Sequence, residues 1–176
     1  LLRNLHGCVF NIRLDGLKIA VDCANGAAYQ VAPSAFWELG AEVVAVGVSP
    51  NGKNINDRCG STHVGLLQET VVSSGADIGI ALDGDADRVL IVTNRGTIIY
   101  PDRLLMLFAR DVLARHPGAG VIFDAKCTRR LPAPIQACGG HAAMWKNGHP
   151  LMQKKLKETG ALLAGEMRGH RFNQER

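Results

Sequence analysis

The chain has 176 residues, enough for one large domain or two small ones, and a mild net charge of +4. No apolar run approaches the ~20 residues that span a bilayer, and Leu1-Leu2-Arg3-Asn4-Leu5-His6 lacks the apolar core and cleavage site of a signal peptide, so neither a membrane nor a secreted protein is expected. Aromatic residues make up only 5% of the chain, and the basic residues form two short clusters (Lys126, Arg129, Arg130 and Lys154, Lys155, Lys157), which argues against nucleic acid as a partner.

Residues 1–15 read as a tail or an incoming helix, and a first residue other than Met points to a piece of something longer. Leu17 to Asp22 reads as a strand. A small-residue turn, Cys23 to Ala28, leads into a helix that runs to about Leu39 and is capped by Gly40. Ala41 to Val48 is the second strand, and the β-turn-α-β order favours a parallel sheet. Ser49 to His63 is a polar loop long enough to suggest function. Leu66 to Ser73 is a short amphipathic helix with Leu67 and Val71 one turn apart. Asp77 to Leu82 is a strand. Leu90 to Thr93 and Thr97 to Tyr100 form a hairpin about Arg95-Gly96. A helix from about Arg103 to Ala114 follows, stopped by His116-Pro117-Gly118.

The opening pattern then recurs: a strand over Gly120 to Asp124, a turn, a helix over Leu131 to Cys138, a glycine cap and a strand over His141 to Trp145. The last elements are a helix over Leu151 to Thr159 and a short strand over Leu162 to Ala164. A loose repeat of about 100 residues predicts two similar three-layer α/β/α domains with mixed, mostly parallel sheets. The expected domains are residues 1–94 and 95–176. The five cysteines, Cys8, Cys23, Cys59, Cys127 and Cys138, are odd in number and contain no C-x-x-C pair, which suits a reducing cytoplasm. Each reads as a small apolar residue, with a catalytic thiol at Cys127, beside Lys126, as the alternative.

The stretch with most chemistry is Leu82-Asp83-Gly84-Asp85-Ala86-Asp87-Arg88-Val89. Asp83, Asp85 and Asp87 alternate where a buried strand ends, so their carboxylates fall on one side of an extended backbone. Converging carboxylates repel unless a cation lies between them, and oxygen-only ligands suit Mg2+ first. Arg88 adds a fixed cation suited to a phosphate. An EF-hand fits poorly, because Asn94 rather than a glutamate occupies the twelfth loop position. A solvated acidic turn is the alternative. So is a phosphatase-type Asp-x-Asp-x-Val at Asp85, Asp87 and Val89, although Asp83 and Gly84 separate it from the strand.

Asp83-Gly84-Asp85-Ala86-Asp87-Arg88 resembles the magnesium loop of the alpha-D-phosphohexomutases. Two further segments carry the same resemblance in the same order: Asn54 to His63, similar to the segment before the metal loop in phosphoglucosamine mutases, and Gly165-Glu166-Met167-Arg168-Gly169-His170, similar to the sugar-recognition loop GEMSGH. Together they cover nearly the whole chain and imply the second and most of the third of the family's four domains. Leu17 to about Val92 looks like phosphoglucosamine mutase. Thr97 to Arg103, Cys127 to Arg130 and Gly165 to Met167 look like phosphomannomutase/phosphoglucomutase. That implies a chimera joined near the end of the metal loop, or a natural mosaic.

By resemblance, Asp83, Asp85 and Asp87 hold Mg2+. Arg88 faces the transferring phosphate and Lys126 approaches the substrate. His149 lines the sugar site, Glu166 accepts from sugar hydroxyls and His170 assists proton transfer. The implied substrate is a hexose or hexosamine phosphate. Arg168 stands where the family has Ser, Asn147 where the bifunctional mutases have Thr, and Ala86 where Gly is common. Arg171 and Asn173 depart from the usual apolar continuation. No Thr-Ala-Ser-His-Asn-Pro-like phosphoserine segment occurs, so the chain is expected to be an incomplete mutase, inactive alone, or a non-catalytic scaffold. A third domain that stops at Arg176 would leave a sheet edge open to pair with a second copy.

Overall fold

The computed structural model describes residues 13–173, which places Cys8 and most of the leading segment outside the described residues. The strands are β1 (Lys18–Asp22), β2 (Glu42–Val46), β3 (Ile78–Leu82), β4 (Val89–Thr93), β5 (Ile98–Ile99), β6 (Gly120–Asp124), β7 (His141–Trp145), β8 (Leu163–Gly165) and β9 (Arg171–Asn173). The helices are α1 (Val31–Glu38), α2 (Gly65–Ser74), α3 (Pro101–Arg115), α4 (Pro132–Ala137) and α5 (His149–Thr159). They form two compact units, the first ending at Ile98 and the second starting at Ile99.

The first unit carries a sheet in the order β2-β1-β3-β4-β5. β1 pairs parallel with β2 and β3, and β3 pairs antiparallel with β4. On one face Leu67 and Val71 of α2 pack on Ala20, Ala81 and Val92. Gly79 is required there, because a Cβ would lie 2.6 Å from a Val71 methyl. α1 lies against β1 and β2. Gly75 ends α2 in the left-handed conformation at φ 66°.

The second unit repeats the plan, with strands in the order β7-β6-β8-β9. β6 pairs parallel with β7 and β8, and β8 antiparallel with β9. Val121 and Phe123 of β6 face α3 and α4 through Leu105, Leu113, Leu131 and Ile135. Ile122, between them, faces α5 through Met152 and Leu156. This two-residue alternation makes the unit three layers thick.

Several elements differ from the sequence expectation: α1 starts only at Val31, β5 shortens to Ile98–Ile99, and α5 starts at His149 rather than Leu151. α3 starts at Pro101 rather than Arg103, since proline suits the first helical position and Tyr100 is extended before it. β9 is not foreseen at all. Arg171-Phe172-Asn173 is short and mostly polar, and it becomes a strand because β8 offers a free edge and Phe172 fills the face under α5.

Candidate functional site

In each unit the described chemistry gathers where parallel strands end, the usual place for ligands in open α/β sheets. β3 ends at Leu82, and the loop from Asp83 to Arg88 turns the chain back into β4, with Leu82 opposite Val89. Asp83 is 1% exposed, while Asp85 and Asp87 are exposed. One oxygen from each of the three carboxylates lies within 4.8 Å of the others.

Asp83 is tied to Arg88. The Arg88 backbone N–H donates to Oδ1 at 3.1 Å, and its Nε donates to Oδ2 at 2.5 Å. Burial alone would raise the Asp83 carboxyl, but the two Arg88 hydrogen bonds and the guanidinium charge overcome it and hold the group below its ordinary value. Arg88 thus keeps a buried carboxylate ionised at the strand end. Asp85 and Asp87 lie beyond that end, which disfavours the phosphatase-type reading, where the nucleophile stands at the strand terminus.

Two other loops cradle this one. Ala27 N–H donates to the Gly84 carbonyl at 2.8 Å, and Ser61 N–H donates to the Leu82 carbonyl at 2.8 Å. A Cβ on Gly26 would sit 2.3 Å from the Gly84 oxygen, so only glycine allows that approach. Among the described residues, the non-glycine positions with positive φ fall in these three loops: Ala24, Asn25, Asn56, Arg58 and Ala86. Such conformations persist only where surrounding contacts over-determine them, and they concentrate at functional sites. Ala86, at φ 62°, occupies a backbone position that favours glycine, so the exchange of the family's common Gly for Ala carries strain.

In the second unit the equivalent place after β8 is the loop from Glu166 to His170. Glu166 is 1% exposed, with both carboxylate oxygens engaged. Oε1 accepts the Gly148 N–H at 2.9 Å, and Oε2 lies 2.7 Å from Nδ1 of His170. His149 meets His170 and Phe172 edge-on, with ring centroids 5.7 Å and 4.7 Å away. Glu166, His149 and His170 are therefore brought together, with Glu166 as the buried anchor and His149 exposed. Lys126 and Arg168 are exposed. Asn147 donates from Nδ2 to Oδ2 of buried Asp124 at 2.5 Å.

Arg171, by contrast, is pulled inward. Nη1 donates to the Glu166 carbonyl at 3.3 Å and to that of His170 at 3.1 Å, and Nη2 donates to Pro101. Burial lowers its pKa from the ordinary value to about 10, opposed by nearby Cys127 and Asp102. Cys127 is no nucleophile here: it is buried, and desolvation and Asp124 drive its thiol far upward, opposite to what a reactive thiolate needs.

Sequence reasoning did not reach the buried aspartates Asp22 and Asp124, each ending the first strand of its sheet. The signal was present, since the two halves of the repeat align on these residues, but neither belongs to a recognisable motif.

Residues 3–96 match the family description phosphoglucomutase/phosphomannomutase, alpha/beta/alpha domain II, and residues 100–176 match alpha/beta/alpha domain III of the same family. The chain therefore belongs to the phosphoglucomutase/phosphomannomutase family. The phosphomannomutase/phosphoglucomutase of Pseudomonas putida is 54% identical over 163 residues, which cover 91% of this chain and 35% of that protein. The phosphoglucosamine mutase of Sphingopyxis alaskensis is 51% identical over 163 residues, 90% of this chain and 36% of that protein. Each relative spans both units, so its resemblance is not confined to one half. The chain spans about a third of the length of these curated relatives.

The crystal structure of a phosphoglucomutase/phosphomannomutase family protein from Burkholderia thailandensis superposes with a TM-score of 0.84 at 45% identity, covering 90% of this chain and 35% of that one. Aspergillus fumigatus N-acetylphosphoglucosamine mutase, solved with GlcNAc-6P and magnesium, shares the fold at a TM-score of 0.63 and 21% identity, over 89% of this chain and 36% of that one.

Proposed function

We propose that these residues form the metal- and sugar-recognition portion of a phosphohexomutase acting on a hexose or hexosamine phosphate. The observation that carries the reading is the triad Asp83, Asp85 and Asp87, with ligand oxygens within 4.8 Å of one another and Asp83 held ionised by Arg88. This donor set fits a hard divalent cation, Mg2+ first, through oxygen ligands alone. Bound there, Mg2+ would neutralise charge on the phosphoryl group being transferred.

The protein's own groups supply position and charge. Arg88 is half-buried beside the triad and offers a guanidinium to a phosphate once Asp83 engages the metal. Glu166 orients His170, and His170 is the group that moves a proton at a sugar hydroxyl. His149 and Arg168 line the sugar, with Arg168 adding a cation where the family has Ser. Lys126 reaches the substrate as an exposed ammonium. The 176 residues contain no phosphoserine segment of the family type, so this reading requires a phosphate-carrying serine from outside them.

That same absence favours a second reading, a non-catalytic scaffold with weak Mg2+ or sugar-phosphate binding. Calorimetric titration of Mg2+ into the purified chain tests the metal site, and an Asp83, Asp85, Asp87 triple-alanine variant should lose the binding. Equal binding by both proteins would refute the site. Mutase turnover with glucose, mannose and glucosamine phosphates, in the presence of Mg2+ and a hexose bisphosphate, tests catalysis. Turnover above the triple variant would eliminate the scaffold reading.

The compartment we assign is the cytoplasm, supported by the free cysteines Cys23, Cys59, Cys127 and Cys138. No helix among the described residues is long and apolar enough to cross a membrane. For assembly, we take edge strand β7, with Met144 exposed, as the place where a second copy would pair. A constant monomeric mass by sedimentation velocity over a wide concentration range would exclude that pairing.

A further inference from the structure

Asp22 is wholly buried at the last position of β1, outside both the carboxylate triad and the loop from Glu166 to His170. Its Oδ1 accepts the Ala24 N–H at 2.9 Å and its Oδ2 accepts the Gly60 N–H at 2.7 Å. These amides belong to two different loops. The first loop also sends Ala27 N–H to the Gly84 carbonyl, and the second sends Ser61 N–H to the Leu82 carbonyl, each at 2.8 Å. The two carbonyls flank Asp83 in sequence.

The surroundings leave the carboxylate little freedom. A Cβ on Gly47 would lie 2.5 Å from Asp22 Oδ1. A Cβ on Gly60 would lie 2.5 Å from the Ala24 methyl and 2.6 Å from the Leu82 oxygen. Burial raises the Asp22 carboxyl above its ordinary value, and the Ala24 and Gly60 hydrogen bonds offset only part of that cost. A buried acid held at a cost, with each oxygen spent on a different loop, is poorly explained as packing.

We infer that Asp22 is a positioning residue for the divalent-cation site: it couples the loop after β1 to the loop before α2 and, through them, fixes the backbone on both sides of Asp83. The inference rests on the metal reading above. Carboxylate chemistry explains the choice of residue, because the Ala24 and Gly60 amides approach different oxygens and asparagine offers an acceptor at only one of the two positions. In Asp22→Asn, one N–H faces an NH2 group and one loop is released.

Asp124 provides an internal control. It is equally buried at the end of β6, and its partners Lys126, Cys127 and Asn147 all belong to the second unit. The experiment is a Mn2+ titration followed by the EPR signal of the free ion, on wild type, Asp22→Asn and Asp124→Asn. It is paired with amide hydrogen exchange at Ala27 and Ser61. We expect both variants to melt earlier, but only Asp22→Asn to lose Mn2+ affinity, by about 10-fold or more as outer-shell partners of metal sites do. Only Asp22→Asn should speed exchange at Ala27 and Ser61.

Wild-type affinity and unchanged exchange in Asp22→Asn would overturn the inference, as would an equal loss of affinity in Asp124→Asn. If wild type binds no Mn2+, the metal reading fails and the positioning role for a cation falls with it, whereas exchange still decides the coupling of the loops. If Asp22→Asn does not fold, Gly47→Ala takes its place. Its methyl group displaces the Asp22 carboxylate without deleting it, and the same changes are expected in milder form. Unaltered affinity and exchange in that variant would equally overturn the inference.

Discussion

Replacing Gly26 by alanine adds one methyl group against the backbone of the metal loop. The new Cβ would lie 2.3 Å from the Gly84 oxygen, 2.7 Å from its Cα and 2.8 Å from its carbonyl carbon. A carbon–oxygen contact of this kind rests near ~3.3 Å, so the loop must retreat by about 1 Å. Backbone cannot swing aside as a side chain would, and the Ala27 to Gly84 hydrogen bond must stretch with it. Overpacking of this sort costs about 1–3 kcal/mol. For a unit of this size that lowers the melting temperature by roughly 5–20 °C. Mn2+ affinity should fall about 10-fold or more, because the displaced segment carries Asp83 and Asp85. Gly65→Ala is the matched control: nothing lies within 4 Å of its added Cβ, and it opens α2, where alanine is neutral or mildly stabilising. The assay is thermal unfolding of the first unit by circular dichroism, with a Mn2+ titration of each folded variant. Wild-type melting and wild-type affinity in Gly26→Ala would refute the argument that this glycine is the seat of the metal loop.

Ala86→Gly relieves a left-handed alanine and should raise the stability of the first unit by about 1 kcal/mol, read as a higher urea midpoint. Asp83 has a folded carboxyl below its ordinary value, so its ionised form stabilises the fold above the unfolded value near ~3.9 and that contribution is lost as pH falls through the folded value. An acid titration followed by circular dichroism should therefore be flatter in Asp83→Asn over that low-pH window. Phe172→Ala empties the site under α5 and should cost the second unit about 3–5 kcal/mol in urea unfolding, whereas a loss below about 1 kcal/mol would mean that β9 is not part of the core. Iodoacetamide should label exposed Cys138 in the folded protein while Cys23, Cys59 and Cys127 react only on unfolding, as read by peptide mass spectrometry; for Cys23, burial raises the thiol pKa to about 11.

The order and type of most elements are legible in the amino-acid sequence, because hydrophobic alternation and glycine caps act locally. β6 and β7 begin and end where the pattern places them, and α2 and α5 end at Gly75 and Gly160, both left-handed. Equally legible is the loop that carries three carboxylates, since a spacing of two residues after a buried strand is a local fact. Other features arise only when distant segments meet. β9 exists because β8 has a free edge, and no three-residue segment announces a partner it meets only on folding. Glu166 is legible as a loop acid, but its burial with both oxygens engaged depends on the Gly148 amide, 18 positions away, and on the loop turning His170 back onto it. Asp22 shows the difference most clearly. In sequence it is the end of a strand, yet its two oxygens join Ala24 to Gly60, and a contact across 38 positions leaves no local trace because chain closure alone creates it.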